Sequence, residues 1–584
     1  MEIEHVRQIL QTEGLGPPNL NALIPNVANY RVLLMQPRGV IEATGDGVRN
    51  SDRDLARAQF ESFLSKALQT QADLAVTPEY AMPWEVLSDD IKKGRAPAPG
   101  QLWAFGCESI KYAELSKVKA ELAPHASVLH EPLDGDPERF LDPLAYVFVA
   151  PVLENQAETK LVILVQFKTH PMADKDHFEV NGLECGTRIY QFGGSDGQEI
   201  RLISLICSDA LAFFDAQALA VHDRALVLHI QLNANPRHEQ FRRYRDKLLQ
   251  YQGDATEIIC LNWAGSVRLL SAGKECNWQN IAGSAWYLKP DKFDCRDQTL
   301  GENHKRGLYY TWLKTVKVHA LFFNYGPAIF FLYATKVAHV GVPAVSSRRR
   351  GPKLTKTYVW DEIAAAWTEQ ADAQDGFDAI VNEAGDAATE IKRISDQNPF
   401  AAERVLALCA GKIAETDNWH MVHQLDSCQI GESEIIFRLT FCQDTDQSAR
   451  DFRIARLRRC RNLWDILQSG DEMPPALEDF KSGFQLNWSR DFPHQNAISD
   501  EGKRATVVYM GEEVSLVQVE TTATRIAEFL HRKFSDPDDS LEAQQRLTVW
   551  YRVSNAQIAS YGVHKYSMID KTEVQSAVGI GRSG

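Results

Sequence analysis

Short apolar runs of strand length recur through the first half of the chain. Residues 31–36 and 73–77 are two such runs, and between them residues 52–69 place their apolar side chains on one helical face. A strand, a helix and a strand in this order predict a βαβ unit. Further runs occupy residues 144–150, 161–167, 201–206, 225–232 and 257–261. Because the runs are continuously apolar, they predict strands that are covered on both faces.

Two of these regions carry more specific predictions. A polar stretch separates residues 144–150 from 161–167, which predicts a hairpin. The most apolar stretch, 318–334, is interrupted at 324–327 by Asn, Gly and Pro. It predicts two buried strands around a turn and no membrane span, since a span needs about 18 or more uninterrupted apolar residues.

The character of the chain changes near residue 345. Residues 345–356 (VSSRRRGPKLTK) are basic, contain Gly and Pro and lack periodicity, which predicts a linker. We therefore expect one domain over residues 1–344 and a second, mainly helical α+β domain over residues 357–584. Helical spacing over 357–417 supports this expectation. The second domain is expected to serve oligomerisation, sensing or partner binding.

A basic amphipathic helix is predicted over residues 448–468, and a hairpin around Gly511 is predicted within 505–518. The arginines of the helix are Arg450, Arg453, Arg456, Arg458, Arg459 and Arg461. Such a helix usually presents a solvated face. Arginine can also bind phosphate in a bidentate manner, so a contact with an anion, a nucleotide or nucleic acid stays open.

Composition narrows the classes of function. With 584 residues, two or three domains are expected. A net charge of −15 gives the chain as a whole no attraction for nucleic acid or anionic membranes. The ten cysteines include no C-x-x-C pair, which argues against structural zinc or a disulfide framework. With no signal-peptide pattern at the N-terminus, a reducing cytoplasm is the expected location.

Three chemically notable side chains stand where apolar strands end: Glu79, Lys168 and Cys207. Catalytic groups in layered α/β folds collect at such ends. A carboxylate can take the proton of a cysteine thiol and deliver it to a leaving amine. A lysine can lower the thiol pKa and stabilise an oxyanion, helped by the backbone N–H of Ser208. Taken singly, each residue has an ordinary interpretation as a core thiol, a loop carboxylate or a surface lysine.

The surroundings of these residues resemble the nitrilase superfamily of carbon–nitrogen hydrolases. The segment ADLAVTPEYAMPW resembles the glutamate signature of that family, QFKTHP its lysine motif and ICSD its nucleophile motif. Segments without a catalytic role also fit in order, namely RVLLMQ, ALVLHIQLNANP, IICLNWAG and IAGSAWYLKP. The resemblance covers residues from about 30 to about 340.

The resemblance implies a four-layer αββα sandwich and a Glu-Lys-Cys triad. In it Glu79 would be the general base, Lys168 the oxyanion stabiliser and Cys207 the nucleophile. Asp209 is expected to anchor the nucleophile loop by hydrogen bonds. The resemblance implies no metal or organic cofactor, a small amide or nitrile as substrate, and a homodimer or larger homo-oligomer.

The sequence also departs from the family pattern. The stretch between Glu79 and Lys168 is long, which suggests an insertion within 86–140 that reshapes or caps the pocket. A second glutamate usually follows the lysine, and here Asp176 or Glu179 could serve. The remaining candidates for the pocket are Tyr80, Phe213, Asn233 and Asn262.

Three classes of function stay open. The favoured one is an amidase-type hydrolase that works through a Cys207 thioester, and a regulated effector of a stress or anti-phage response is one form that such a hydrolase could take. The second is a catalytically weak scaffold that binds a small ligand, for which the uncertain second carboxylate is the best support. The third is a nucleic-acid-associated protein that uses the arginine-rich helix.

Overall fold

The computed structural model divides the chain into two compact units. The first contains the described residues up to 370, and the second contains those from 377 onward. The structure describes residues 1–25, 28–133, 135–155, 157–172, 178–194, 200–213, 215–221, 223–236, 239–250, 256–271, 274–279, 283–288, 299–313, 318–337, 351–370, 377–411, 447–470, 473–489, 491–512, 514–553 and 557–562.

The first unit is a mixed α/β structure. Its strands are β1 Glu2–His5, β2 Asn29–Gln36, β3 Val40–Thr44, β4 Gly47–Asn50, β5 Leu74–Met82, β6 Leu102–Cys107, β7 Ile110–Lys111, β8 Ser127–His130, β9 Phe140–Leu141, β10 Pro143–Pro151, β11 Thr159–Phe167, β12 Arg188–Gln191, β13 Arg201–Ile206, β14 Ala225–Ile230, β15 Thr256–Leu261, β16 Ser266–Ser271, β17 Lys274–Gln279, β18 Ala285–Leu288, β19 Leu308–Leu313, β20 Val318–Phe323, β21 Ala328–Thr335, β22 Lys353–Asp361 and β23 Ala366–Gln370. Its helices are α1 Val6–Thr12, α2 Arg53–Thr70, α3 Trp84–Lys92, α4 Tyr112–Leu122, α5 Phe178–Gly182, α6 Asp215–Val221, α7 Glu239–Gln250 and α8 Thr299–Lys305, and a 3-10 helix spans Cys207–Leu211.

A nine-stranded sheet forms the larger layer, in the order β23-β22-β21-β2-β5-β6-β10-β11-β8. The predicted βαβ unit is confirmed, because β2 and β5 pair in parallel and α2 lies between them in the chain. Helix α2 begins where the Asp52 carboxylate accepts a hydrogen bond from the N–H of Leu55, and it ends at Gln71, which is left-handed. The predicted hairpin is confirmed in the antiparallel pair β10 and β11.

A six-stranded sheet forms the second layer, in the order β13-β14-β15-β18-β20-β19. The two predicted strands within 318–334 exist as β20 and β21, but they belong to different sheets. The turn at 324–327 therefore carries the chain from one layer to the other. Strands β14 and β15 contact β5, so the two sheets face each other around a shared apolar core.

The region 86–140, expected to be an insertion over the site, contributes regular structure to the first unit. Strands β6 and β8 are members of the nine-stranded sheet, and α3 and α4 pack beside each other next to α2. The described part of this region is thus built into the layers of the unit.

The boundary between the units differs from the predicted linker. Residues 345–350 lie outside the described residues, but β22 begins at Lys353 and pairs with β21 and β23 at the edge of the nine-stranded sheet. The first domain therefore extends beyond residue 344. Basic composition suggested a linker, whereas Leu354 and Tyr358 are buried against the sheet. Successive side chains of a strand point to opposite faces of a sheet, so Lys353 is exposed next to the buried Leu354, and the basic composition was therefore misleading.

The second unit combines helices with a five-stranded sheet in the order β24-β25-β26-β27-β28. Its strands are β24 Phe484–Leu486, β25 Ala497–Ser499, β26 Arg504–Glu512, β27 Leu547–Arg552 and β28 Ile558–Gly562. Its helices are α9 Phe377–Ile380, α10 Ala388–Gln397, α11 Pro399–Ala410, α12 Gln447–Ser469, α13 Leu516–Lys533 and α14 Pro537–Gln545, with 3-10 helices at Val381–Ala387 and Pro475–Ser482. The predicted hairpin around Gly511 is wrong, because β26 runs through this residue and pairs in parallel with β27. Among the described helices of the chain, none is long and apolar enough to cross a membrane.

The basic helix predicted over 448–468 is present as α12, but its arginines do not share one solvent face. Arg453 and Arg456 are buried, each 1% exposed. Arg458 is exposed and pairs with Glu383 at 2.9 Å, and Arg459 donates to the carbonyl of Ala410 at 2.9 Å. The helix therefore uses part of its charge within the second unit, so the six arginines do not form a single phosphate-binding stripe.

Candidate active site

The three residues singled out at strand ends are positioned by strands of both sheets. Lys168 directly follows β11, and Cys207 directly follows β13. Glu79 lies in β5 at an irregularity, where the pairing with β6 shifts between Thr77 and Met82. Gly106 permits this irregularity, since a Cβ there would lie 2.1 Å from the carbonyl oxygen of Pro78.

The Lys168 ammonium is the centre of a buried ionic cluster. Its Nζ lies 2.7 Å from Oε1 of Glu79, 2.7 Å from Oε1 of Glu179 and 3.5 Å from Oδ2 of Asp142. All four side chains are buried. Burial by itself lowers the pKa of Lys168, but the carboxylates of Glu179 and Glu79 outweigh it and hold that pKa well above its usual range. The lysine is therefore a fixed positive charge.

The Glu79 carboxylate is held from both sides. Its Oε2 accepts a hydrogen bond from the backbone N–H of Leu232 at 2.5 Å, while Oε1 accepts from Lys168. The backbone carbonyl of Glu79 accepts from the indole N–H of Trp263 at 2.8 Å. Burial raises the pKa of Glu79, and the charge of Lys168 opposes this rise. The group is thereby suited to accept and release a proton.

Cys207 has a strained backbone at the start of the 3-10 helix. Its φ is +41°, in the left-handed region that costs a non-glycine residue about 1–3 kcal/mol. The thiol is buried, and the Glu79 carboxylate is near enough to affect its pKa. Burial and the Glu79 charge raise the thiol pKa well above its usual value, and Lys168 offsets only part of this rise. The expectation that lysine lowers the thiol pKa is correct in sign, but burial dominates, so the resting sulfur is protonated.

Asp209 ties the nucleophile loop to the lysine loop. Its Oδ1 accepts from the backbone N–H of Thr169 at 2.7 Å and of His170 at 3.1 Å. Its Oδ2 accepts from the N–H of Ile206 at 3.0 Å. The Ser208 hydroxyl donates to the carbonyl of His170 at 2.6 Å. The two loops are thus fixed relative to each other.

Glu179 is brought to the lysine by α5. Its Oε1 also accepts from the Tyr80 hydroxyl at 2.9 Å, and its Oε2 accepts from the N–H of Met172 at 2.6 Å. Of the two alternatives for a second carboxylate, Glu179 has a defined place in the cluster. Asp176 lies outside the described residues.

The other residues predicted for the pocket, Asn233, Asn262 and Phe213, pack and hydrogen bond next to the ionic cluster or the loops around it. Asn262 donates from Nδ2 to the carbonyl of Asn233 at 2.7 Å, and the N–H of Asn233 donates back to Oδ1 of Asn262 at 3.2 Å. This pair fixes the loop that follows Leu232, whose N–H binds Glu79. Phe213 is buried and packs edge-on against Tyr244, with ring centroids 6.4 Å apart.

Two residues of the site were missed in the sequence, Asp142 and His229. Asp142 stands just before the apolar strand β10, and His229 stands inside the apolar strand β14. A single acid or histidine in such a run is most often a packed, satisfied residue. The signal in the sequence is the same for both: each is a polar residue inside or directly next to an apolar run.

The carboxylates of Glu79, Asp142 and Glu179 have the geometry of a cation site, since one oxygen of each lies within 4.8 Å of the others. The Lys168 ammonium donates to two of these carboxylates. A divalent cation would have to displace that ammonium, so lysine is the counter-ion of this cluster.

Asp142→Asn should raise the free energy of unfolding at neutral pH. Burial and the Glu79 charge raise the pKa of Asp142 well above its usual range, with Lys168 opposing them. The folded protein therefore binds this proton more tightly than the unfolded chain, and stability falls as pH rises above the ordinary range of an Asp carboxyl. The asparagine does not titrate, so it removes that loss. The increase in the free energy of unfolding over the wild type, measured by urea denaturation, should therefore be larger at pH 8 than at pH 5.

The matched control is Asp209→Asn, which should change stability in the opposite direction. Burial raises the pKa of Asp209 as well, but both oxygens of this carboxylate accept backbone hydrogen bonds. Asparagine replaces one accepting oxygen by an NH₂ group, at a cost of about 1–3 kcal/mol. If Asp142→Asn destabilised the protein at pH 8 as Asp209→Asn does, Asp142 would be ionised in the folded state.

Comparisons with known proteins place these observations among solved structures. No family model matches the chain, and no curated protein does. An amidase from Nesterenkonia sp. matches at 15% identity and a TM-score of 0.29, over 46% of this chain and 85% of the amidase. A cysteine-to-alanine mutant of the Nesterenkonia AN1 amidase, described as from the nitrilase superfamily, matches at 15% identity and 0.28, over 46% and 86%.

A further match is the complex of the cysteine-to-alanine mutant of that amidase with butyramide, at 15% identity and a TM-score of 0.27, over 46% of this chain and 86% of the amidase. Because the TM-scores are low, these matches say nothing about the reaction that this chain performs. Over the N-terminal 46% of its length, the chain is similar to solved amidases of the nitrilase superfamily.

Proposed function

We propose that the first unit is a carbon–nitrogen hydrolase of amidase type that works through a thioester on Cys207. The observation that carries this proposal is the position of Glu79, whose Oε1 lies 2.7 Å from the Lys168 ammonium and whose carboxylate is near enough to the Cys207 thiol to affect its pKa. A base, a nucleophile and a cation placed together in this way are the groups that acyl transfer from an amide requires.

In the first half of the reaction, Glu79 takes the thiol proton as the sulfur attacks the amide carbon. A C–S bond forms, and the carbonyl electron pair moves to oxygen. The ammonium of Lys168 and the backbone N–H of Ser208 stabilise this oxyanion. The C–N bond then breaks, Glu79 gives the proton to the leaving nitrogen, and ammonia or an amine departs from the thioester.

In the second half, water attacks the thioester carbon while Glu79 accepts one of its protons. The C–S bond breaks, the sulfur regains a proton from Glu79, and a carboxylic acid leaves. The raised pKa of Glu79 suits both directions of this transfer, since a general acid–base works best when its pKa approaches the working pH.

Glu179 and Tyr80 support the cluster and take no proton in this scheme. Glu179 accepts from Lys168 and Tyr80 at once, and thereby fixes the direction of the ammonium. This defined contact removes the main support for a catalytically weak scaffold, which was the uncertain position of a second carboxylate.

We also propose that the layers form the αββα sandwich that the resemblance implies. Strands β14 and β15 of one sheet contact β5 of the other, α2 contacts β5, and α7 contacts β15. These contacts support the order helix, sheet, sheet, helix. Assembly of the protein as a homodimer or larger homo-oligomer stays a prediction.

The proposal is tested by ammonia release from a panel of short amides that includes butyramide and acrylamide. We expect turnover by the wild-type chain and a loss of at least about 100-fold in Glu79→Gln, the scale of removing a general acid–base. Glu61→Gln is the control, since Glu61 is a half-exposed residue on α2 that pairs with Arg57. Equal rates for Glu79→Gln and the wild type would exclude Glu79 as the base.

A further inference from the structure

His229 contacts the backbone carbonyl of Cys207, the proposed nucleophile. It is fully buried in β14, and its Nε2 lies 2.9 Å from the carbonyl oxygen of Cys207. A carbonyl oxygen can only accept, so the ring must donate its Nε2 proton to this bond. The histidine thus holds the peptide group that follows the reactive cysteine.

The other ring nitrogen fixes this tautomer. The Tyr244 hydroxyl lies 2.6 Å from Nδ1 of His229, and Nε2 of Gln231 lies 3.1 Å from the same atom. The Gln231 amide nitrogen can only donate, so Nδ1 accepts and the proton resides on Nε2. Burial lowers the pKa of His229 to about 3, which keeps the ring neutral.

The peptide between Cys207 and Ser208 links this histidine to the catalytic face. Among the described residues every peptide bond is trans, and in a trans peptide the C=O and N–H point in opposite directions. A carbonyl that points to His229 therefore turns the N–H of Ser208 away from it. The left-handed φ of Cys207, +41°, is disfavoured, so the orientation depends on an outside partner.

We propose that His229, fixed by Tyr244, is a positioning residue that aims the Ser208 N–H at the oxyanion. The inference rests on the proposed function, in which that N–H stabilises the tetrahedral oxygen. His229 touches neither substrate nor sulfur in this role, since its bond is to the backbone carbonyl. A packing role alone would require only that the ring fill its space between β14 and α7.

The test uses butyraldehyde on the full-length protein, together with His229→Leu, His229→Gln and Tyr244→Phe. The Cys207 sulfur adds to the aldehyde carbon, and the carbonyl oxygen takes the displaced electron pair and the thiol proton. The resulting thiohemiacetal places its oxygen where the oxyanion would lie. Its dissociation constant therefore reports on the oxyanion site without any turnover. Alkylation of Cys207 by iodoacetamide forms no oxyanion and reports on the thiol alone.

We expect His229→Leu to weaken butyraldehyde binding by about 100-fold or more, the scale of one lost oxyanion donor. Its rate of alkylation by iodoacetamide should stay near that of the wild type. His229→Gln keeps an N–H donor and should recover binding to within about tenfold of the wild type. Tyr244→Phe removes the hydroxyl that holds the Nε2–H tautomer of His229 but keeps the aromatic ring. Its affinity for butyraldehyde should lie between those of His229→Leu and His229→Gln.

The outcomes separate this proposal from the proposed function. If His229→Leu binds butyraldehyde as the wild type does, or if it loses alkylation and aldehyde binding in equal measure, the positioning role is wrong. If the wild type forms the thiohemiacetal but releases no ammonia from amides, the hydrolase proposal alone is overturned. If the wild type forms no thiohemiacetal, both are overturned.

Discussion

Lys168→Met should destabilise the first unit by about 3–5 kcal/mol and abolish turnover. The ammonium is fully buried and lies within 2.7 Å of two carboxylates, so its removal leaves buried charge without a partner. It also removes the cation that stabilises the oxyanion. Urea denaturation and ammonia release measure the two effects separately.

The pH dependence of this variant has a definite sign. Without the ammonium, the raised pKa values of Glu79 and Asp142 are no longer opposed by a positive charge. The folded state then binds protons more tightly than the unfolded chain, so stability should recover as the pH falls. The loss relative to the wild type should therefore be larger at pH 8 than at pH 5.

Lys336→Met provides a matched control. Lys336 is also buried in the first unit, but its Nζ donates to the backbone carbonyl of Ile24 at 2.6 Å. Burial lowers the pKa of Lys336, so its replacement by an apolar chain should cost less stability and leave turnover intact. Equal destabilisation by both variants would mean that the carboxylates near Lys168 are already neutral in the folded protein.

Cys207→Ala should lower turnover by about 10⁴-fold or more, since loss of a nucleophile removes the covalent route entirely. The variant should also form no acyl adduct in intact-mass spectra after rapid quenching with an amide substrate. Its fold should persist, because Asp209 and His229 hold the loop through backbone bonds on either side of the cysteine side chain.

Cys185→Ala is the control for this experiment. Cys185 is a second cysteine of the first unit; it is half-buried, and burial raises the pKa of its thiol to about 11. Turnover and adduct mass should match those of the wild type. An adduct that persisted in Cys207→Ala and disappeared in Cys185→Ala would show that the nucleophile is misassigned.

The place where the first unit ends affects how a regulatory role of the second unit is tested. Strands β22 and β23 complete the nine-stranded sheet, and Trp367 is buried against α2. A truncation near residue 350 would remove both strands and damage the first unit itself. Regulation by the second unit, as in a stress or anti-phage effector, stays a prediction that requires a chain kept intact through residue 370.

Periodicity predicted many of the strands and helices because those elements depend on local patterns. The runs at 31–36, 144–150 and 201–206 became strands, and the helical spacing over 52–69 became α2. Predictions from local patterns were wrong where contacts between residues far apart in the chain determine the secondary structure. Gly511 was expected at the turn of a hairpin, yet it lies within β26 at a register shift, with a φ of +96°, and the parallel pairing with β27 resumes at Glu512.

The sequence by itself predicted Glu79, Lys168 and Cys207 as catalytic residues, because each stands in a motif that depends on its immediate neighbours. Only the tertiary structure placed the three together, selected Glu179, and added Asp142 and His229. The reason is physical: a carboxylate or an imidazole acquires its role from charges and donors that the fold brings near. His229 is separated from the cysteine it holds by 22 positions in the chain. No pattern around Asp142 or His229 distinguishes them from packed core residues, and only the fold places Asp142 beside the Lys168 ammonium and His229 beside the Cys207 carbonyl.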